Sequence, residues 1–93
     1  MLHIRLLVPT DLYEQVLALL DAAVGVTNIS VMKGAARSPA GDLVELDAAR
    51  EAADDLLDAL TGLRLDERGS ISVEQIDLSV SRGSRQAQQA GAG

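Results

Sequence analysis

A four-stranded antiparallel sheet with two helices on one face, an α+β sandwich, is the fold this sequence predicts, on three observations. Apolar and polar residues alternate in the short runs 2–8, 29–33 and 43–46, the period of strands with one buried face. Two longer runs, 12–23 and 49–63, repeat apolar residues three and four apart, as helices lying on a sheet do. The order strand, helix, strand, strand, helix, strand lets two split strand–helix–strand units interleave as a ferredoxin-like βαββαβ sandwich, strand order 4-1-3-2.

Leu2, Ile4, Leu6 and Val8 alternate with His3 and Arg5, and Pro9 closes this first strand. Asp11 is placed to cap the next helix, with Glu14 completing a capping box, and Leu12, Val16, Leu19, Leu20 and Ala23 fall on one helical face. Gly25 is placed to end that helix in a left-handed conformation. Ile29 and Val31 mark a second strand that runs to about Lys33, and Gly34 to Asp42, with Pro39 and Gly41 inside, reads as the connecting loop.

In the third strand, Leu43 to Leu46, Val44 and Leu46 share the buried side while Glu45 faces out. Asp47 stands where an N-cap belongs, and Ala49, Ala52, Ala53, Leu56, Leu57, Leu60 and Leu63 lay an apolar stripe along the second helix. Gly62 weakens its end, and Asp66 to Ser70 reads as a polar turn. Ile71 and Val73 share one parity whereas Ile76, Leu78 and Val80 share the other, which predicts a bulge near Glu74 and Gln75. The domain is therefore expected to span 1–81, with 82–93, built of Arg, Gly, Ser, Gln and Ala, as a disordered tail or linker stub.

Composition narrows the function. The chain has no Trp or Phe and a single aromatic, Tyr13, so it offers no stacking surface for bases or sugars. Its net charge of -6 repels phosphate backbones and anionic headgroups, and no nucleic-acid partner is expected. The absence of cysteine excludes thiolate metal sites and cysteine nucleophiles. No run approaches the ~20 apolar residues of a membrane helix, so this segment is expected to be soluble and not to insert directly.

Two groups of residues are candidates for binding. His3, Arg5 and Glu45, with Asn28 and Ser30 beside them, should share the open sheet face, where Arg5 and Glu45 can pair across strands; the alternative, a small anionic or metal site, is disfavoured because one histidine with scattered carboxylates is no ligand set. Gly34, Ala35, Ala36 and Arg37 combine small residues with a guanidinium, a pattern that allows close backbone approach and a two-pronged grip on a carboxylate or phosphate. Glu51, Asp54, Asp55 and Asp58 crowd the second helix, but acids near a helix N-terminus are favoured by its dipole and need no cation. One histidine without a nucleophile elbow is no catalytic signal, and no catalytic residue, metal or cofactor is expected.

Several families of this fold are tested by particular residues. Metal-chaperone domains need Cys-x-x-Cys after the first strand, where Pro9-Thr10-Asp11 stands, and RNA-recognition domains need aromatics where His3, Arg5 and Glu45 stand. Acylphosphatases need a glycine-rich anion loop before the first helix, also missing. A small-molecule sensor of the ACT kind, binding an anionic metabolite at Gly34–Arg37 or at a dimer interface, stays open.

Met-Leu-His-Ile-Arg at 1–5, Val-Thr-Asn-Ile-Ser-Val at 26–31, Gly-Ala-Ala-Arg at 34–37, Gly-Asp-Leu-Val at 41–44, Ala-Arg-Glu-Ala-Ala at 49–53 and Gly-Ser-Ile-Ser-Val-Glu-Gln-Ile-Asp at 69–77 occur in a specific order and spacing. With these stretches, the chain resembles the N-terminal soluble domain of the domain of unknown function 389 family of bacterial membrane proteins, in an actinobacterial style. The resemblance implies a non-catalytic assembly or regulatory domain on the cytoplasmic side of the inner membrane. Its implied partners are further copies of itself, as a homo-oligomer, and the membrane domain of the same full-length protein.

Overall fold

The computed structural model describes residues 1–76 together with 86 and 87. Strands β1 (Leu2–Val8), β2 (Val26–Arg37), β3 (Ala40–Ala48) and β4 (Ser70–Gln75) form one sheet in the order β2-β3-β1-β4. Helices α1 (Tyr13–Ala22) and α2 (Arg50–Gly62), with a single-turn helix α3 (Leu65–Arg68), complete the ferredoxin-like fold. All three strand pairings are antiparallel, and the strand order matches the predicted 4-1-3-2.

Strand parity does most of the work. Ile4, Leu6 and Val8 on β1 and Val44, Leu46 and Ala48 on β3 are fully buried against Val16 and Leu20 of α1 and Leu56 and Leu60 of α2. Alternate residues therefore define two faces, one covered by helices and one open, with Arg5 exposed on the second. β1 is central, pairing Leu2 with Ala48 through Val8 with Asp42 on one side and Leu2 with Gln75 through Leu7 with Ser70 on the other.

Several local expectations are corrected. Pro9 fixes a 3₁₀ turn, Thr10–Leu12, ahead of α1, so no side chain caps that helix and Asp11 instead accepts a hydrogen bond from Arg68 at 2.8 Å. Gly25 is left-handed as expected (φ +81), but it lies beyond the helix end at Ala23. There it allows a close approach: a Cβ on Gly25 would sit 2.8 Å from that of Ala52, and its carbonyl accepts the Ala49 N–H at 2.8 Å.

The loop expected from Gly34 to Asp42 is mostly strand. β2 continues to Arg37 and β3 begins at Ala40, leaving only Ser38 and Pro39 at the tip. Asp47 is not an N-cap either; it lies within β3, where Thr27 and His3 pair with it on either side, and α2 starts after Ala49. Asp66 to Arg68 belong to α3, whose Leu65 is fully buried, so that stretch is a helical turn and not a loop. The register of β4 on β1 runs unbroken to Gln75, without the bulge expected at Glu74 and Gln75; the irregularities fall in β2 instead, between Thr27 and Ser30 and between Met32 and Ala36. The expected continuation of the last strand to Val80, and all of the 82–93 tail except Gln86 and Ala87, lie outside the described residues; Ala87 is buried.

Candidate functional site

The open face gathers its polar residues around His3. Odd-numbered residues of β1 and β3 point to this side, so the β1–β3 register sets His3 opposite Asp47 and Arg5 opposite Glu45. The imidazole lies between two carboxylates, with Nδ1 at 2.8 Å from Asp47 Oδ1 and Nε2 at 3.0 Å from Glu45 Oε1. Asn28, held at φ +55 in the β2 irregularity, donates its side-chain N–H to the other Asp47 oxygen at 2.9 Å. Positive φ is tolerated by asparagine better than by branched residues, which suits it to that corner.

Glu45 and Asp47 are both acceptors, so both ring nitrogens can donate only from the imidazolium. The hydrogen bond to Asp47, then that to Glu45, raises the His3 pKa above 6.5, against a smaller opposing effect of burial. A raised folded-state pKa contributes stability that is present in full below the unfolded value near 6.5 and is lost as pH rises through the folded value. The His3 ring protons should accordingly titrate with a midpoint above 6.5 by NMR, and the chain should unfold at lower denaturant at weakly alkaline pH than at pH near 6. In the Glu45→Gln, Asp47→Asn double variant the midpoint should fall back; an unchanged midpoint would contradict the geometry.

A depression of 390 Å³ opens beside this triad, lined by His3, Arg5, Glu45, Ser72, Val73 and Glu74. Because His3 engages Glu45, the guanidinium of Arg5 forms no ion pair among the described residues, and neither does Glu74. The expected Arg5–Glu45 pair is thus a register neighbour and not a salt bridge. Among the described residues no group of three or more His, Asp or Glu side chains could hold a metal ion, and no helix is long and apolar enough to cross a membrane.

Gly34, Ala35, Ala36 and Arg37 are placed elsewhere. They lie on the β2 arm of the hairpin, with Ala36 opposite Gly41 and Arg37 opposite Ala40, so that Arg37 is about 17 Å along β3 from Glu45 at ordinary strand rise. Gly34 is left-handed (φ +68) and its N–H is already donated to the Asp42 Oδ1 at 2.7 Å, so the segment is not a free anion-cradling loop. A buried carboxylate beneath it also opposes an incoming anion. Asp42 accepts a second contact from Lys33 Nζ at 3.4 Å, and that ammonium lies 3.5 Å from the centre of the Tyr13 ring.

Asp42 is therefore the pin of the hairpin. Asp42→Ala should cost about 2–3 kcal/mol in a urea titration, by stranding the Gly34 amide and releasing Lys33, whereas Asp42→Asn, which keeps an acceptor, should lose roughly half as much. Equal losses for the two would mean that the carboxylate's charge, and not its acceptor geometry, holds the hairpin.

Asp47, Asp42, Ser72 and Glu74 were not singled out from the sequence. Asp47 shares the parity of Glu45, which was the available signal; it was masked by the resemblance of an aspartate before a helix to a cap. Compared with protein-family models, with curated proteins and with solved structures, the chain matches none.

Proposed function

We propose that this domain is a non-catalytic assembly module whose copies meet through the open sheet face, serving as the extramembrane regulatory part of a bacterial membrane protein of the kind its sequence resembles. The observation that carries this reading is the pair of opposite charges left uncommitted on that face: Arg5 on β1 and Glu74 on β4, exposed and without ion pairs among the described residues. Across a two-fold axis, Arg5 of one copy meets Glu74 of the other and the reverse, which is the self-complementarity that an isologous interface requires. The histidine supports a structural part for this face, since both of its ring nitrogens are engaged by carboxylates and neither is free to take a proton from a substrate.

The β2 edge is the poorer route to pairing. β2, one edge, carries two register shifts and the exposed Lys33, features that discourage strand addition. Light scattering during size exclusion over a range of concentrations tests the reading. A dimer is expected, weakened by Arg5→Glu and by Glu74→Arg and restored when both reversals are combined. A monomer at every concentration, also when joined to a membrane domain, would overturn it.

A further inference from the structure

The helix layer leaves a second surface that self-association through the sheet does not use. α1 and α2 both lie on the sheet, but several residues lining the space between them are small: Ala22 at the end of α1, Ala23 just past it, and Ala52 and Ala59 along α2. Alanines cannot fill the space between two helix axes, so a groove of 490 Å³ remains with Leu19 and Leu56 lining it. Val24, just past the end of α1, stands at the same groove and is 67% exposed, the most exposed of the large apolar side chains among the described residues. An apolar trough with an aliphatic residue in water at its margin has room for a further apolar segment.

One wall is charged, with one sign only. Glu51 and Asp55 line the groove four residues apart on α2, hence on one helical face, and no Lys, Arg or His lines it. We propose that this groove docks a basic amphipathic helix, which lays an apolar stripe over Leu19 and Val24 and sets Lys or Arg side chains against Glu51 and Asp55. Small residues in the trough let the backbone of such a helix come close, and anchors at three- and four-residue spacing reach down between α1 and α2.

A second copy of this chain is the wrong occupant. A two-fold pairing through the groove brings Glu51 and Asp55 of both copies together, on chains that each carry a net charge of -6. The chain's own residues 82–93 come close at Ala87, which is buried with its carbonyl 3.6 Å from where a Gly25 Cβ would lie, but Ala87 does not line the trough and the segment has no apolar side chain larger than alanine to fill it. The partner is accordingly a different basic segment, and the groove does not depend on the assembly reading of the sheet face.

The test uses the full chain and two synthetic peptides of about 14 residues, long enough for several helical turns. One places leucines and alanines on one face and lysines on the other; the second has the same composition with the pattern scrambled. By fluorescence anisotropy at moderate salt, the patterned peptide should bind at least about tenfold more tightly than the scrambled one. Amide shifts in NMR should move at Ala23, Val24, Ala52 and Ala59. Val24→Asp, at an exposed position, and the Glu51→Lys, Asp55→Lys double variant should each weaken binding by about tenfold or more while the far-UV circular dichroism stays unchanged. Equal binding of the two peptides, no binding at about 1 mM, shifts confined to the open sheet face, or full affinity in the folded variants would each overturn the proposal.

Discussion

Gly69→Ala is expected to lose more than about 3 kcal/mol, most of the stability a domain of this size has to spare. Gly69 joins α3 to β4, and the chain there passes so close to the central strand that a Cβ would run into the Leu7 carbonyl oxygen, with the Leu7 carbonyl carbon at 3.0 Å and Pro9 Cδ at 3.2 Å. The obstacle is backbone, and Leu7 is held by its pairing with Leu43 and Ser70 on either side, so it has no rotamer to change. Gly62→Ala is the matched control. It lies in the last turn of α2 with nothing within 4 Å of the added carbon, and there the better helix propensity of alanine should raise stability by about 0.5–1 kcal/mol. The same chemical change should thus move the urea midpoint in opposite directions at two positions seven residues apart. Shifts of the same sign would mean that the approach to β1 is looser than the described geometry.

The second large effect belongs to the core. Leu6→Ala should cost about 3–5 kcal/mol by denaturant unfolding, because Leu6 is fully buried on the central strand, flanked in register by Val44 and Ile71. With no Phe or Trp in the chain, the neighbours are short aliphatic side chains that cannot swing into the space left behind. Leu7, one residue on, points to the open face and is half-buried, and its replacement by alanine should cost about 1 kcal/mol or less. A ratio near one between the two losses would contradict the assignment of faces.

The layers of the fold were legible because burial writes a period into the sequence. Leu2, Ile4, Leu6 and Val8 give β1 its parity, Val44 and Leu46 give that of β3, and the leucines and alanines of 49–63 give α2 its stripe. The hairpin arm was not legible, since Gly34, Ala35 and Ala36 have little strand propensity of their own and are held as strand by pairing with β3 and by the Asp42 side chain, eight residues away. Asp47 was misread for a related reason. The local rule for a helix start competes with a long-range demand that β3 continue as far as Ala48 to meet Leu2, and the pairing wins.

At the open face, the members His3, Arg5 and Glu45 could be placed by parity alone. Which of them bond could not, because both cations lie near Glu45 and only the geometry of the ring, reaching Asp47 and Glu45 at once, decides that His3 takes both acids and Arg5 none. Ser72 and Glu74 depended on a β4 register that the change of parity near residue 75 obscured.

The first strand of the chain occupies the middle of the sheet, and this has a consequence during synthesis. Its two neighbours, β3 and β4, leave the ribosome long after it, so Ile4, Leu6 and Val8 have no partner strand until β3 is made and a partner on one side only until β4 follows. The sheet cannot close until residue 75 has been made. For several seconds at ordinary translation rates this half-apolar strand waits unpaired, which gives a chaperone reason to bind there.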